Sequence, residues 1–110
     1  MSFQAKNAQV LARQLEAQSL ICSANLVAAT SDLPSQVSIN NTTLADTVIT
    51  IDIGEPVSKC FQAEVRNQAT GAIVALEGAP SLAVANKISV QVDGTGLTAV
   101  SVSVKYKVAE

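Results

Sequence analysis

The closing stretch of the chain, DGTGLTAVSVSVKYKV over residues 93–108, alternates apolar and polar residues almost without a break. Val100, Val102, Val104, Tyr106 and Val108 fall on one side of a period-two repeat; Ser101, Ser103, Lys105 and Lys107 fall on the other. Only an extended backbone keeps such a repeat on two clean faces, because successive Cβ atoms point to opposite sides of a strand. One face must pack on a core while the other stays in water or meets a neighbour. Such a half-polar strand belongs to an antiparallel sheet, and the sheet needs a second layer over its apolar face.

The same alternation recurs upstream. Residues 36–40 (QVSIN) set Val37 and Ile39 together. Residues 47–53 (TVITIDI) set Ile49, Ile51 and Ile53 against Val48, Thr50 and Asp52. Residues 59–66 (KCFQAEVR) place Phe61, Ala63 and Val65 inward and Gln62, Glu64 and Arg66 outward. Ile88, Val90 and Val92 alternate with Ser89 and Gln91, and two apolar runs, 20–29 (LICSANLVAA) and 72–76 (AIVAL), complete the set. Residues 82–85 suit either a short strand or a connection. Turn-forming clusters at 32–35, 40–43, 54–56, 67–71 and 77–80 separate these segments. The DGTG at 93–96 supplies the positive φ angles of a short hairpin loop, so the strand ending at Val92 is expected to pair with the closing strand. About seven short strands divided by turns define a mainly β chain, an antiparallel β-sandwich or small barrel spanning residues 19–110.

Residues 1–18 are of another kind. Positions 3–18 hold no Gly or Pro and are rich in Ala, Gln and Leu. Ala8, Leu11, Ala12 and Leu15 recur at the spacing of one helical stripe, with Ser2 placed to cap it. This is an N-terminal helical or extended arm. It either lies on its own domain or orders against another subunit. The second reading is preferred, because the β domain is complete without it.

At 110 residues the chain makes one domain. Its core materials are small and β-branched: 17 Ala and 14 Val against two Phe, one Tyr and no Trp. Such a core leaves a thin stability margin for an isolated monomer, which points to oligomerisation or docking. A net charge of −2 without a basic cluster is no footprint for nucleic acid. No segment reaches 18 apolar residues, so no helical membrane span is expected. The first 18 residues lack the apolar region of a signal peptide, so synthesis in a reducing cytoplasm is expected. There, Cys22 and Cys60 are read as two small buried hydrophobes, with a disulfide as the lesser alternative. The overlapping sequons at 40–43 (NNTT) are read as a polar turn.

Residues suited to chemistry are few. There is no His, which removes His-based triads, general bases and metal sites. Lys59 is the only base adjacent to Cys60, and strand neighbours face opposite ways, so Cys60 is not expected to be a nucleophile. Asp52 and Glu55 are the closest acidic pair, yet a paired-carboxylate sugar site is disfavoured without Trp platforms. DGTG lacks the lysine ending of a phosphate loop. The sequence therefore predicts no catalytic residue, no cofactor and no metal, and Phe61 and Tyr106 are assigned to core packing.

Two stretches carry a family resemblance: ADTVITIDIGEPVSKCFQAEV at 45–65 and ISVQVDGTGLTAVSVSVKYKV at 88–108, preceded by the N-terminal extension. In composition and layout the chain resembles the capsid decoration, or cement, proteins of tailed bacteriophages. The resemblance implies a non-enzymatic virion protein on the outer capsid surface. It also implies a homo-oligomer, dimer or trimer, that binds the major capsid protein and ties neighbouring capsid subunits together through terminal arms. The arm residues Phe3, Val10, Leu11 and Leu15 are the expected docking element, and strand addition at exposed sheet edges is a second route. A phage tail, baseplate or fibre component is the closest alternative, followed by an adhesion-type β module. A small-molecule binder or enzyme comes last.

Overall fold

The computed structural model describes residues 17–109 and contains two packed antiparallel sheets. In chain order the strands are β1 (Gln18–Asn25), β2 (Thr30–Ser31), β3 (Val37–Asn40), β4 (Thr47–Asp52), β5 (Val57–Asn67), β6 (Ile73–Val74), β7 (Lys87–Val92) and β8 (Ala99–Val108). One sheet has the order β2-β1-β8-β5-β6 and the other β3-β4-β7. The sheets are separate, so the fold is a sandwich and not a closed barrel. The arm expected at residues 1–18 lies outside the described residues but for its last two, and Gln18 already opens β1.

The closing stretch supplies the centre of the larger sheet. β8 pairs with β1 from Ala99 to Tyr106 and with β5 from Val100 to Val108. Val100, Val102, Val104, Tyr106 and Val108 all face the core. Across the sandwich they meet Ile49 and Ile51 of β4 and Ile88, Val90 and Val92 of β7, all buried. Each such side chain contributes about 1.5–3 kcal/mol on burial. The polar side of β4 and β7 faces out, where the hydroxyls of Thr50 and Ser89 meet at 3.0 Å.

Three expectations are corrected. First, residues 93–98 do not close a hairpin: β7 lies in the small sheet and β8 in the large one, so this segment crosses between layers. Gly94 is used for close approach, not for a positive φ. Its N–H donates to the Leu44 carbonyl at 2.7 Å, and a Cβ there would lie 2.9–3.0 Å from Thr47, Leu26 and the Leu44 carbonyl. Gly96 alone carries the positive φ, +80°.

Second, Phe61 does not face inward. The β5–β8 register slips between Val57 and Lys59 and again between Cys60 and Gln62. Each slip inserts one residue into β5 and reverses the parity of what precedes it. Ala63 and Val65 keep their inward positions, whereas Cys60 and Val57 take the inner places that strict alternation gives to Phe61 and Lys59. Phe61 is left 50 % exposed.

Third, two apolar runs are shorter strands than their composition suggests. The run at 20–29 turns after Asn25, whose side-chain carbonyl accepts the Ala28 N–H at 2.9 Å. Leu26 is drawn into the core beside that turn and its N–H donates to the Thr98 carbonyl at 2.8 Å. The run at 72–76 keeps only the two residues of β6. Residues 82–85 form a connection, held by the bridge between Ser81 and Ser89. Both cysteines are free.

Candidate interaction surface

The outer face of the five-stranded sheet is built from the polar halves of its three long strands. β1 contributes Ser19, Ile21 and Ser23, β8 contributes Ser101, Ser103 and Lys105, and β5 contributes Gln62, Glu64 and Arg66. Because β8 is regular, its serines form a flat central rail. The larger neighbours on either side leave a trough of about 250 Å³ lined by Ser19, Ile21, Gln62, Glu64, Ser103 and Lys105. A second hollow of about 380 Å³ adjoins it and is lined by Ala17, Phe61, Gln62 and Lys105. The chain upstream of β1 thus joins the domain at the rim of this face. Ile21 is 71 % exposed here; Glu64 lies across β8 from it, and Phe61 stands further along β5, beside Gln62 and Lys105.

The charges on this face are partly committed. The Arg66 guanidinium pairs with Glu64 and donates to the Gly71 carbonyl at 3.0 Å, which ties the β5–β6 turn to the sheet. The Lys59 ammonium sits 5.6 Å from the centroid of the Phe61 ring. That contact follows from the second slip in β5, which leaves both side chains outside. Sequence alternation missed Phe61 as a surface residue, and nothing in the local composition marks the insertion.

Acidic side chains mostly organise turns. Asp52 accepts from the Gly54 N–H at 2.9 Å, Asp32 from the Ser23 N–H at 2.8 Å and Asp93 from the Thr95 N–H at 3.0 Å. The bonds from Thr95 hold the Asp93 carboxyl below its ordinary pKa. Asp52 and Glu55, the closest acidic pair in the sequence, flank this turn at the end of β4. Burial pushes both thiols up: Cys22 by desolvation with the Asp32 charge adding to it, and Cys60 by desolvation. Neither thiol is a thiolate near neutral pH, so neither is poised for attack. Among the described residues no group of three or more His, Cys, Asp or Glu side chains is arranged to hold a metal ion. No helix among them is long and apolar enough to cross a membrane. Phe3, Val10, Leu11 and Leu15, the expected docking residues, lie outside the described residues.

Comparison with protein-family models, with curated proteins and with solved structures gives no match. What the chain's own geometry defines is a two-layered antiparallel β-sandwich with a broad, part-apolar outer sheet face.

Proposed function

We propose that the chain is a non-enzymatic virion structural protein that decorates a bacteriophage capsid and stabilises it by bridging neighbouring capsid subunits. One observation carries the proposal: the outer face of the five-stranded sheet exposes Ile21 and Phe61 around shallow, open hollows, at the point where residues 1–16 join β1. A broad, part-apolar face suits a protein partner better than a small substrate, which needs a deep pocket with converging polar groups. The resemblance of 45–65 and 88–108 to capsid decoration proteins supplies the partner, the major capsid protein, and the place, the capsid surface.

The mechanism is mechanical. A protein that binds only across assembled subunits stabilises the assembled state over the separate one by mass action. Many copies act on one shell, so modest affinity per site suffices. Phe3, Val10, Leu11 and Leu15 act as the docking arm, and the sandwich acts as the rigid body it is attached to.

Co-expression with the major capsid protein, followed by sedimentation of assembled shells, tests this reading. The chain is expected to travel with the shells and to raise their dissociation temperature, and Leu11→Asp with Leu15→Asp is expected to abolish both effects. A chain that remains in the supernatant refutes the proposal. A chain that sediments with isolated tails instead replaces it with the tail-component reading.

A further inference from the structure

The larger sheet is open along part of both edges, and the two openings differ. β2 covers β1 only at Ala24 and Asn25, with Asp32 bonded to Ser23 just beyond. Residues 18–22 therefore have no neighbouring strand on that side among the described residues. On the far edge, β6 covers β5 only at Val65 and Arg66, which leaves residues 57–64 uncovered in the same sense. In the small sheet, β3 is an edge of four residues, and β7 is bridged from Leu76 and Ser81.

The β5 edge carries the devices that keep strands from adding. It is broken by two inserted residues and holds Lys59 and Glu64. The β1 edge carries none. Its pairing with β8 runs without a slip from Gln18 to Asn25, and residues 17–31 contain no charge and no proline. A two-fold copy of β1 set against itself meets neither a charged residue nor an inserted one.

The hydrogen-bond parity of β1 is also defined. Ser23 directs its N–H and C=O away from β8, to Asp32, whereas Leu26 bonds toward the β8 side at Thr98. Odd-numbered residues of β1 therefore face the open edge, and even-numbered ones serve β8. The groups presented at the edge are the N–H and C=O of Ser19 and Ile21.

We propose that a second copy of this chain adds to the β1 edge, antiparallel and two-fold symmetric, centred on Leu20, to join the two five-stranded sheets into one. In this register Ser19 and Ile21 of one copy exchange backbone hydrogen bonds with Ile21 and Ser19 of the other. All edge groups from 19 to 21 are used, and nothing competes with Asp32 for Ser23. Leu20 meets its own copy as the close, non-hydrogen-bonded pair, adding cover to a side chain that is half-buried in the single copy. Ile21 packs over Ser19 of the partner on the outer face. The two Ala17 residues come to lie about 20 Å apart on opposite sides of the axis. Residues 1–16 of the two copies thus start from opposite ends of the joint. This pairing stands independently of the capsid proposal, since it concerns the free chain.

The test uses the full chain. Size-exclusion chromatography with light scattering is expected to give twice the 11.3 kDa monomer mass, falling on dilution. Ile21→Pro removes an edge N–H without touching the β8 ladder. It is expected to weaken the dimer about tenfold or more, with an unchanged circular dichroism spectrum. Leu20→Cys, in a Cys22→Ala, Cys60→Ala background, is expected to form an intermolecular disulfide on mild oxidation, and Ser19→Cys is not. The cross-link reports register even if Ile21→Pro fails to fold. A monomer at all concentrations, a trimer, cross-linking through Ser19→Cys instead of Leu20→Cys, or a dimer lost on deleting residues 1–16 but kept in Ile21→Pro each overturns the proposal.

Discussion

Gly94 offers a sharp test of how the two sheets are joined. Replacing it by Ala adds one methyl group, and the surroundings decide the sign of the effect. Ordinarily Gly→Ala in an unstrained position stabilises by about 0.4–1 kcal/mol through the unfolded state. Gly94 has no positive φ to object to the change. Its Cβ would, however, stand 2.9 Å from the Thr47 hydroxyl and 3.0 Å from both the Leu26 methyl and the Leu44 carbonyl oxygen. None of these yields easily. Leu26 and Thr47 are fully buried, and the Leu44 carbonyl already accepts from the Gly94 N–H at 2.7 Å and from the Thr47 hydroxyl at 2.8 Å. Overpacking of this kind costs about 1–3 kcal/mol. Set against the entropic gain, a net loss of about 1–2 kcal/mol is expected, or roughly 4–12 °C in Tm for a domain near 100 residues. Urea unfolding followed by circular dichroism measures it directly. A Gly94→Ala variant as stable as the parent would mean that residues 93–98 are not wedged between β1 and the Leu44 turn, and the crossing between sheets would be misdrawn. Gly96→Ala is the control: its cost should come from the +80° φ alone, with nothing within 4 Å to clash.

Three further outcomes follow from the strands themselves. Phe61→Ala should cost less than about 1 kcal/mol, whereas Val65→Ala, at a fully buried site four residues on, should cost roughly 2 kcal/mol or more; chemical denaturation of the two variants separates them, and equal costs would place Phe61 in the core. At neutral pH, Cys22 should resist alkylation until the chain is denatured, while half-buried Cys60 should react slowly in the native state; mass spectrometry of iodoacetamide adducts reports both. Asp93 has its folded pKa below the ordinary 3.8, so its contribution is present above that pH and is lost as pH falls through the folded value. The stability gap between the parent and Asp93→Asn should accordingly close only in acid, as measured by thermal unfolding across pH.

The parts of the fold legible in the sequence are those where alternation survives intact. β4, β7 and β8 keep strict period two, and their inner residues, from Ile49 through Val108, are the ones found buried. β5 is not legible from Phe61 backward because a β-bulge leaves no local trace: the extra residue only becomes visible against its partner, where Cys60 faces Tyr106 but Gln62 faces Lys105. DGTG misled for a different reason. The same glycines that suit a hairpin also suit a tight crossing, and which one forms depends on where β4 recruits β7. The candidate surface was half legible. Ser101, Ser103 and Lys105 announce an outward face, while Ile21 reads as core until β1 is seen to place only its even residues inside.

The regularity of β8 and the irregularity of β5 have one physical consequence between them. A central strand must satisfy two neighbours along its whole length, so every residue is committed and a bulge would break two ladders. An edge strand has one ladder to keep and can spend a residue to protect its other side. β5 does this twice, at the stretch that β6 leaves uncovered, and sets the Lys59 ammonium over the Phe61 ring that the second insertion turns outward. Among the described residues β1 faces the same exposure over residues 18–22, with no insertion and no charge along it. An unguarded edge exposes a sheet to strand addition, and the β1 edge is the one that the proposed two-fold pairing would cover. The asymmetry between the two edges, more than any single side chain, is what directs that proposed pairing to β1 and away from β5.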